Sequence, residues 1–379
     1  HRIGLREGKL RDTIEENLGE LEGAPSLIID THVDHGLLPL TSMSRDSGSL
    51  KPGLANTVST MKLDPGNGQL IDIPGRIYSD VGLTGEKTSR YLLEAGSREF
   101  DGSTLEWQGA DVTVHTNPAT GAVSVKGEVQ AWSLVHGRGD VRFGGITIEG
   151  DQRKSRYGFS VGSIELEAGP VEMEDSAGPG GSIRSLSIDA SSEIDGDRLN
   201  GLSKLEITGV RAPELGDIDV AMEIVFNGLD ARSFQKIVKA LRATRGSADP
   251  EHALANIYPE IEPDLQEFLA AGAEVRLDRL DVTLPAGPVT TKLRLDVPAA
   301  KPDAEFSWPA LLLALDASAD IRLPVELVEM AQTVSPEAGS LVAMGFLRKD
   351  GDFYEMRAEY AKGLLTVNGA PMPIPLPGL

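Results

Sequence analysis

Apolar and polar residues alternate along most of this chain, and the alternation restricts its fold more than any other sequence feature. A period of two places successive side chains on opposite faces of an extended strand. The pattern recurs from one end of the chain to the other and is broken by glycine, asparagine or aspartate. The clearest apolar faces are those of Ile71, Ile73, Ile77, Val81 and Leu83, of Val123, Val125, Val129 and Ala131, of Ile218, Val220, Met222, Ile224 and Phe226, and of Val289, Leu293, Leu295 and Val297.

The one-sided pattern indicates antiparallel rather than parallel strands. A parallel sheet covered by helices on both faces would show continuous apolar runs, whereas antiparallel hairpins leave one face wet. Short polar turns such as "NPATGA" at Asn117–Ala122 and "VNGA" at Val367–Ala370 agree, since glycine and asparagine adopt positive φ at low cost.

Helical spacing is confined to a few segments. It predicts helices that begin after Asp230, near Pro263 with an end at Gly272, and at Pro324, together with a weaker candidate over Leu10–Leu21. We therefore expect a mainly β (α+β) fold: an elongated, twisted antiparallel sheet or β-groove with two or three helices packed in its C-terminal half. The expected regions are an N-terminal β part, 1–229, and a helix-containing β part, 230–379, continuous with the first.

Composition excludes several classes of protein. Among 379 residues, 36 are basic and 58 are acidic, and the formal charge of −22 repels nucleic acid and anionic headgroups. The absence of cysteine rules out disulfides, thiolate metal sites and cysteine nucleophiles. No apolar run reaches the roughly 18 to 20 residues of a membrane helix. Because the chain opens at His1 without methionine, we expect a preceding signal or anchor segment.

The segment "IIDTHVDHG" is the densest group of potential metal ligands. In a strand, His32 and Asp34 would share the polar face and could in principle bind one cation. A zinc site needs at least a third ligand and an ordered outer shell, which the neighbouring sequence does not supply. A solvent-facing strand that ends in a turn at Gly36 is the favoured interpretation, with no metal and no cofactor.

No catalytic constellation emerges from the remaining residues. The 58 acidic residues are too numerous for a glycosidase pair to be located by counting. Trp107 and Trp132 could stack on sugars, but each lies in an alternating segment, which favours packing. No catalytic residue is therefore predicted.

Six segments spread over most of the chain share a family pattern: "HGLLPL" at 35–40, "LEWQG" at 105–109, "YGFSVGSIELEAG" at 157–169, "IVFNGLDARSF" at 224–234, "LDRLDVTLPAGPVTTKLRLDV" at 277–297 and "AKGLLTVNGAPMPI" at 361–374. Together they resemble the YdgA-like family of bacterial envelope proteins, a domain of unknown function. The positions of the family pattern are His35, Gly36, Trp107, Asn368 and Gly369; Leu37 stands where the family often has proline. The resemblance implies a periplasmic body in a Gram-negative bacterium, attached to the inner membrane through an N-terminal anchor, and assigns no catalytic residue.

These observations predict a non-enzymatic envelope protein that binds an apolar ligand, such as a lipid, or a protein partner. A one-sided sheet too long for its helices must curl, dimerise or hold something apolar. Two alternatives remain open: a hydrolase of envelope polymers with paired carboxylates, and a self-associating structural module, such as a homodimer.

Overall fold

The computed structural model describes residues 2–6, 9–17, 26–35, 53–64, 71–100, 102–137, 139–175, 180–212, 216–243, 250–301 and 306–372. Over these ranges the protein is mainly β, and its strand pairs are antiparallel, as predicted from the alternation. The chain forms two compact units: unit 1 consists of His1–Lys154 and Ile164–Gly180, and unit 2 of Ser155–Ser163 and Gly181–Leu379. The predicted division into 1–229 and 230–379 stays a prediction.

Unit 1 is built from two antiparallel ladders. The first has the order β1-β2-β3-β4-β5-β6-β9-β10-β13, and the second has the order β7-β8-β11-β12-β15. Their bounds are β1 Arg2–Arg6, β2 Lys9–Asn17, β3 Ser26–His35, β4 Ala55–Asp64, β5 Ile71–Val81, β6 Lys87–Leu93, β7 Gly96–Phe100, β8 Ser103–Trp107, β9 Ala110–Asn117, β10 Ala122–Val129, β11 Trp132–His136, β12 Gly139–Phe143, β13 Ile146–Lys154 and β15 Val171–Asp175.

Two-residue breaks separate the two ladders of unit 1, and backbone hydrogen bonds continue across them. The N–H of Gln108 donates to the carbonyl of Ala131 (2.9 Å), and the N–H of Gln130 donates to the carbonyl of Gly109 (2.8 Å). Gly109 has φ +126°, and a Cβ there would lie 2.8 Å from the carbonyl oxygen of Leu93. Glycine is therefore required where the strands change direction.

Unit 2 contains a single meander of strands, β17-β18-β19-β20-β21-β22-β24-β25-β26, with β16 paired to β18 and β23 to β24. β14 (Ser160–Ala168) contributes its first residues to unit 2 and its last to unit 1. The others are β16 Ser182–Ile183, β17 Ser185–Asp195, β18 Arg198–Ala212, β19 Gly216–Asp230, β20 Ala273–Leu284, β21 Gly287–Val297, β22 Asp316–Pro324, β23 Arg348–Asp350, β24 Phe353–Ala361, β25 Leu364–Val367 and β26 Ala370–Met372.

The described part of the chain contains five helices, all in unit 2: α1 Ala231–Ala243, α2 Pro250–Ala270, α3 Trp308–Ala314, α4 Val325–Val334 and α5 Pro336–Ala343. The predicted start at Asp230 is confirmed, since its carboxylate accepts a hydrogen bond from the N–H of Ser233 at 2.8 Å. The start at Pro324 is confirmed as well. None of these helices is long and apolar enough to cross a bilayer.

One helix prediction was wrong, and another was wrong only in its start. The helix expected from Pro263 begins at Pro250 and runs through both Pro259 and Pro263. Its predicted end is confirmed, since the helix stops at Ala270 and Gly272 follows with φ +79°. The candidate at Leu10–Leu21 is largely strand β2, whose backbone pairs with β1 on one side and β3 on the other. Two flanking strands satisfy its N–H and C=O groups, and this pairing outweighs the local helical spacing.

Two small cores hold the helices of unit 2 against its sheet. The first contains Val161, Leu199, Leu229 and Ala231, with aromatic residues of β19, α1, α2 and the segment just before β14 packed around them. The second contains Val328 of α4, Leu347 and Tyr354, with Leu323 and Met356 beside them. On the apolar face between these cores, Val275, Leu293 and Leu295 are exposed.

Candidate functional site

The uncovered part of the unit 2 sheet forms an apolar trough. Two rows of facing residues cross six strands, β19, β20, β21, β22, β24 and β25, and their partners are fixed by the strand register. The first row is Phe226, Val275, Leu295, Ala317, Tyr360 and Leu365. The second row is Ile224, Leu277, Leu293, Ala319, Ala358 and Val367.

Small residues on two neighbouring strands make the floor of the trough low. Ala317 and Ala319 on β22 lie beside Ala358 on β24, while leucines rise on β21. The cavity holds about 530 Å³, within the range of roughly 300 to 1,000 Å³ typical of ligand pockets. Six strands at a spacing of about 4.8 Å make it about 24 Å long.

Part of the lining is exposed although it is apolar, while Tyr360 and Val367 at the β24–β25 end are buried. Val275, Leu293 and Leu295 are 38%, 43% and 39% exposed, in a region where a covering layer would bury them. Leaving such side chains in water forgoes roughly 25 cal/mol for each Å² of apolar surface. An extended apolar surface of this kind on a folded protein is typical of a binding site.

The opposite face of the same strands is charged. Arg276 pairs with Glu274 at 3.1 Å and with Asp278 at 3.0 Å, and Arg294 pairs with Glu274 at 3.0 Å and with Asp296 at 3.2 Å. These side chains alternate with those of the trough along each strand. The sheet thus has one wet, ion-paired face and one apolar face.

A β-bulge keeps the apolar face continuous along β20. The register shifts between Leu277 and Leu280 relative to both neighbouring strands. In a regular strand of the same sequence, Leu280 would point to the charged face, because Leu277 and Leu280 are three residues apart.

Helices flank the trough on its own side of the sheet. Leu323 and Met356 share the parity of Ala319 and Ala358 on their strands, and both pack against the core residue Val328 of α4. On the opposite flank of the trough from α4, the Tyr360 hydroxyl donates to the carbonyl of Leu312 in α3 at 2.7 Å. At the β19 end, the ring of Phe226 lies over Gly201, where a Cβ would come within 2.3 Å of it.

A second, polar recess of about 490 Å³ lies in unit 1. One row of facing residues crosses β4, β5, β6, β9, β10 and β13. It consists of Asn56, Asp80, Thr88, His115, Ser124 and Asp151. Thr88 Oγ1 lies 2.8 Å from His115 Nδ1. The two aspartates are four strand spacings apart, about 19 Å, which is too far for a glycosidase pair at roughly 5 to 9.5 Å.

The structure places the weak metal candidates in strand β3 of unit 1. His32 lies in β3, is exposed and faces Val58 of β4 in the register. Asp34 lies two residues further along β3 opposite Asn56, and its side chain is outside the described residues. Among the side chains that the structure describes, no group of three or more His, Asp or Glu residues could share a metal ion.

The family-pattern positions in the first half of the chain occupy strands and turns. His35 is the last residue of β3, and Gly36 lies outside the described residues. Trp107 on β8 donates its indole N–H to the carbonyl of Glu94 at 2.7 Å, and its ring fills the space over Gly96, its cross-strand partner. Trp132 faces Trp107 from β11 and lies 5.5 Å from the ring of Phe143. These contacts describe packing.

Asn368 and Gly369 form the turn between β25 and β26. Their φ angles are +50° and +78°, as a two-residue type I′ turn requires. The Asn368 side chain accepts a hydrogen bond from the N–H of Arg357 (2.9 Å) and donates to the carbonyls of Gly345 (3.0 Å) and Phe346 (3.1 Å). This residue therefore ties the hairpin to the segment after α5.

Among the residues that the structure describes, the carboxyl groups with a perturbed pKa belong to ion pairs. A hydrogen bond from Arg90 lowers the pKa of Asp111, a hydrogen bond from Tyr157 lowers that of Asp197, and a hydrogen bond from Asn227 lowers that of Glu274. A general acid requires the opposite, a raised pKa. These three carboxylates act as acceptors that stabilise the fold.

Sequence reasoning located the apolar strand faces and included a β-groove among the expected architectures, but it did not identify the residues that form the trough. Its floor depends on Ala317, Ala319 and Ala358 becoming neighbours, which only the pairing of β22 with β24 brings about. A signal was present in the alternation of alanine with polar residues in "DASAD". Alternating small residues within an amphipathic strand indicate a recess in its apolar face.

Comparison with known proteins identifies one family. No curated protein and no solved structure matches the chain significantly. A family described as "Bacterial protein of unknown function (DUF945)" matches residues 13–375. The match covers nearly the whole chain, including both units, and agrees with the resemblance seen in the six segments. The chain therefore belongs to the DUF945 family of bacterial proteins.

Proposed function

We propose that this protein is a non-enzymatic envelope protein that holds a hydrocarbon chain, such as the acyl chain of a lipid, in the apolar trough of unit 2. The observation that carries the proposal is the pair of apolar rows across six strands, which line a recess of about 530 Å³ and leave Val275, Leu293 and Leu295 exposed. An extended chain laid across the strands would contact both rows along the roughly 24 Å of the trough.

The chemistry of the lining favours a hydrocarbon over a peptide. The strands that form the floor already pair their backbone groups with each other, and the side chains of the two rows are almost all hydrocarbon. A peptide in the trough would therefore bury N–H and C=O groups without partners, at about 1–3 kcal/mol each. A methylene group gains about 0.8 kcal/mol from the same burial.

The test is binding of a fluorescent fatty acid to two variants that differ by one position on β22. Ala319→Leu fills the floor of the trough, whereas Ser318→Leu adds the same side chain to the opposite face. We expect Ala319→Leu to weaken binding at least tenfold and Ser318→Leu to change it less than twofold.

Both variants are first compared by circular dichroism and urea unfolding, so that loss of binding is not confused with loss of fold. Native mass spectrometry of the wild-type protein after incubation with fatty acid provides an independent readout. The proposal is wrong if the wild-type protein binds no acyl chain, or if the two variants bind equally well.

We place this activity in the periplasm of a Gram-negative cell, with the full-length protein anchored at the inner membrane. The support is the resemblance to YdgA-like envelope proteins. When cells that express the full-length gene are fractionated, we expect the protein in the membrane fraction. When spheroplasts are treated with protease, we expect the protein to be digested. Recovery from the cytosol would contradict this placement.

A further inference from the structure

The helices beside the trough expose apolar side chains on their outer surfaces. These are Trp308 and Leu313 on α3, Met330 and Val334 on α4, and Leu341 and Met344 on and just after α5. Val334 is 81% exposed and Leu313 is 61% exposed, which is unusual for such side chains on three neighbouring elements of one unit.

The exposed side chains of α4 point away from the sheet, on the side where the trough opens. Val328 faces inward and is buried against Leu323 and Met356. At 100° per residue, Met330 and Val334 lie on the far side of the helix from Val328 and are one turn apart. They therefore project outward from the sheet face that carries the trough.

α3 brings a second apolar group to the opposite flank of the trough. The hydrogen bond from Tyr360 to the carbonyl of Leu312 fixes this helix beside the lining. The side chain of Leu313 reaches the β24–β25 turn, where its Cδ2 lies 2.8 Å from the position of a Cβ on Gly363. Exposed apolar side chains thus stand on both flanks of the trough.

We infer that the outward surfaces of α3, α4 and α5 form a seating surface for a lipid bilayer with zwitterionic headgroups, where a hydrocarbon chain passes between bilayer and trough without crossing water. The inference rests on the proposed function. A long hydrocarbon chain is nearly insoluble, so a protein that takes one from a membrane gains by contacting that membrane beside its binding site.

The charge of these helices selects the kind of bilayer. The segments of α3, α4 and α5 contain Glu326, Glu329 and Glu337 and no lysine or arginine, and the one basic side chain paired with these glutamates in the described part of the chain is Lys349 of β23, 3.8 Å from Glu329. Attraction to anionic lipids depends on clustered basic residues, which are missing from these three sequences. The contact is therefore driven by insertion of apolar side chains and is opposed by negative headgroups.

The convex shape of a helix surface favours a bilayer over a protein partner. Side chains such as Met330 and Val334 project from the outside of α4 instead of lining a groove into which a peptide could fit. Projecting apolar side chains can enter the boundary between headgroups and acyl chains.

The experiment is flotation of the purified full chain with phosphatidylcholine vesicles, carried out on three variants. Met330→Asp/Val334→Asp and, independently, Leu341→Asp/Met344→Asp are expected to reduce the floated fraction at least fivefold. Leu83→Asp, an equally exposed leucine in the β5–β6 turn of unit 1, is the matched control and is expected to float like the wild-type protein. With phosphatidylglycerol vesicles, wild-type flotation is expected to be weaker at low salt and to rise with added salt.

Ala319→Leu separates this inference from the proposed function. This variant is expected to float normally and to bind fatty acid poorly. Normal flotation of both double variants would overturn the inference and leave acyl binding intact. No flotation of the wild-type protein would overturn it as well, as would equal loss in Leu83→Asp. Normal fatty-acid binding by Ala319→Leu would instead refute the proposed trough function while membrane seating stands.

Discussion

Asn368 and Lys362 occupy the same position in two neighbouring hairpin turns, but they have different roles. Each is the first central residue of its turn, at φ +50° and +53°, and each is followed by a glycine with positive φ. Lys362 is exposed. Asn368 satisfies one N–H and two carbonyl groups of other segments. One family-pattern position is thus explained by hydrogen bonding at a turn.

The difference gives a prediction at the residue scale. Asn368→Gly keeps the turn geometry but removes three side-chain hydrogen bonds, so we expect the free energy of unfolding to fall by about 2 kcal/mol or more. Lys362→Gly removes the backbone strain of a non-glycine residue in the left-handed conformation, so the free energy of unfolding should stay unchanged or rise by up to about 1 kcal/mol. Urea unfolding of both variants measures the effect, and equal destabilisation would contradict the assigned roles.

At the scale of whole elements, the alternation of apolar and polar residues predicted most of the strands, because the face on which a side chain lies follows from its position in the strand. The prediction failed where a strand ends early or where pairing with its neighbours introduces a bulge. Leu83, assigned to the apolar face of β5, lies in the following turn and is exposed. The bulge in β20 is invisible in the sequence, since only its two neighbours reveal the extra residue.

The position of the trough could not be predicted from the sequence for the same reason. The trough needs the register of six strands, and β22 and β24 are separated in the chain by α4, α5 and β23. Prolines also misled the prediction of α2: Pro263 favoured a helix start, as proline does at the first helical position. The structure accommodates it inside a longer helix instead.

The ion-paired face of β20 and β21 gives a prediction at this scale. Glu274 accepts a hydrogen bond from Asn227 (3.0 Å) and pairs with Arg276 and Arg294, and its pKa is lowered in the folded protein. Glu274→Gln should therefore cost about 1 kcal/mol at pH 7. Because a lowered pKa means that the folded state favours the carboxylate, this stabilisation is present above the ordinary pKa of about 4.3 and lost as the pH falls through the lower folded value.

The measurement is urea unfolding of wild type and Glu274→Gln between neutral and acidic pH. The stability difference is expected to shrink in the acidic range. Glu359→Gln, an exposed residue on the same face of β24, is the control and should show a small difference throughout. A Glu274→Gln difference that does not change with pH would show that the carboxylate charge is not responsible.

At the scale of the molecule, the two compact units do not correspond to two continuous pieces of chain. Ser155–Ser163 belongs to unit 2, although Ile164–Gly180 returns to unit 1. Tyr157, Phe159 and Val161 supply part of the core that also contains Leu199 and Leu229. A cut at the apparent boundary near Gly181 would therefore remove core residues of the unit that it is meant to isolate.

This organisation predicts how fragments behave. A fragment of residues 155–379 retains the three core side chains, whereas a fragment of residues 181–379 lacks them. We expect the shorter fragment to be less stable by about 3 kcal/mol, because it loses buried Val161 together with two partly buried aromatic side chains. Limited proteolysis and urea unfolding compare the two, and Val161→Ala in the longer fragment should fall between them. Equal stability would show that this segment is not part of the core.

The direction of the trough has a consequence for the length of the chain that it is proposed to hold. Because the two apolar rows run across the strands, each strand adds one step of about 4.8 Å to the floor. The length of the site is therefore set by the number of strands and not by the depth of a closed cavity. If the trough holds a hydrocarbon chain as proposed, adding or removing a hairpin at the β25–β26 end is expected to lengthen or shorten the chain that fits, with no change in the residues of the other strands.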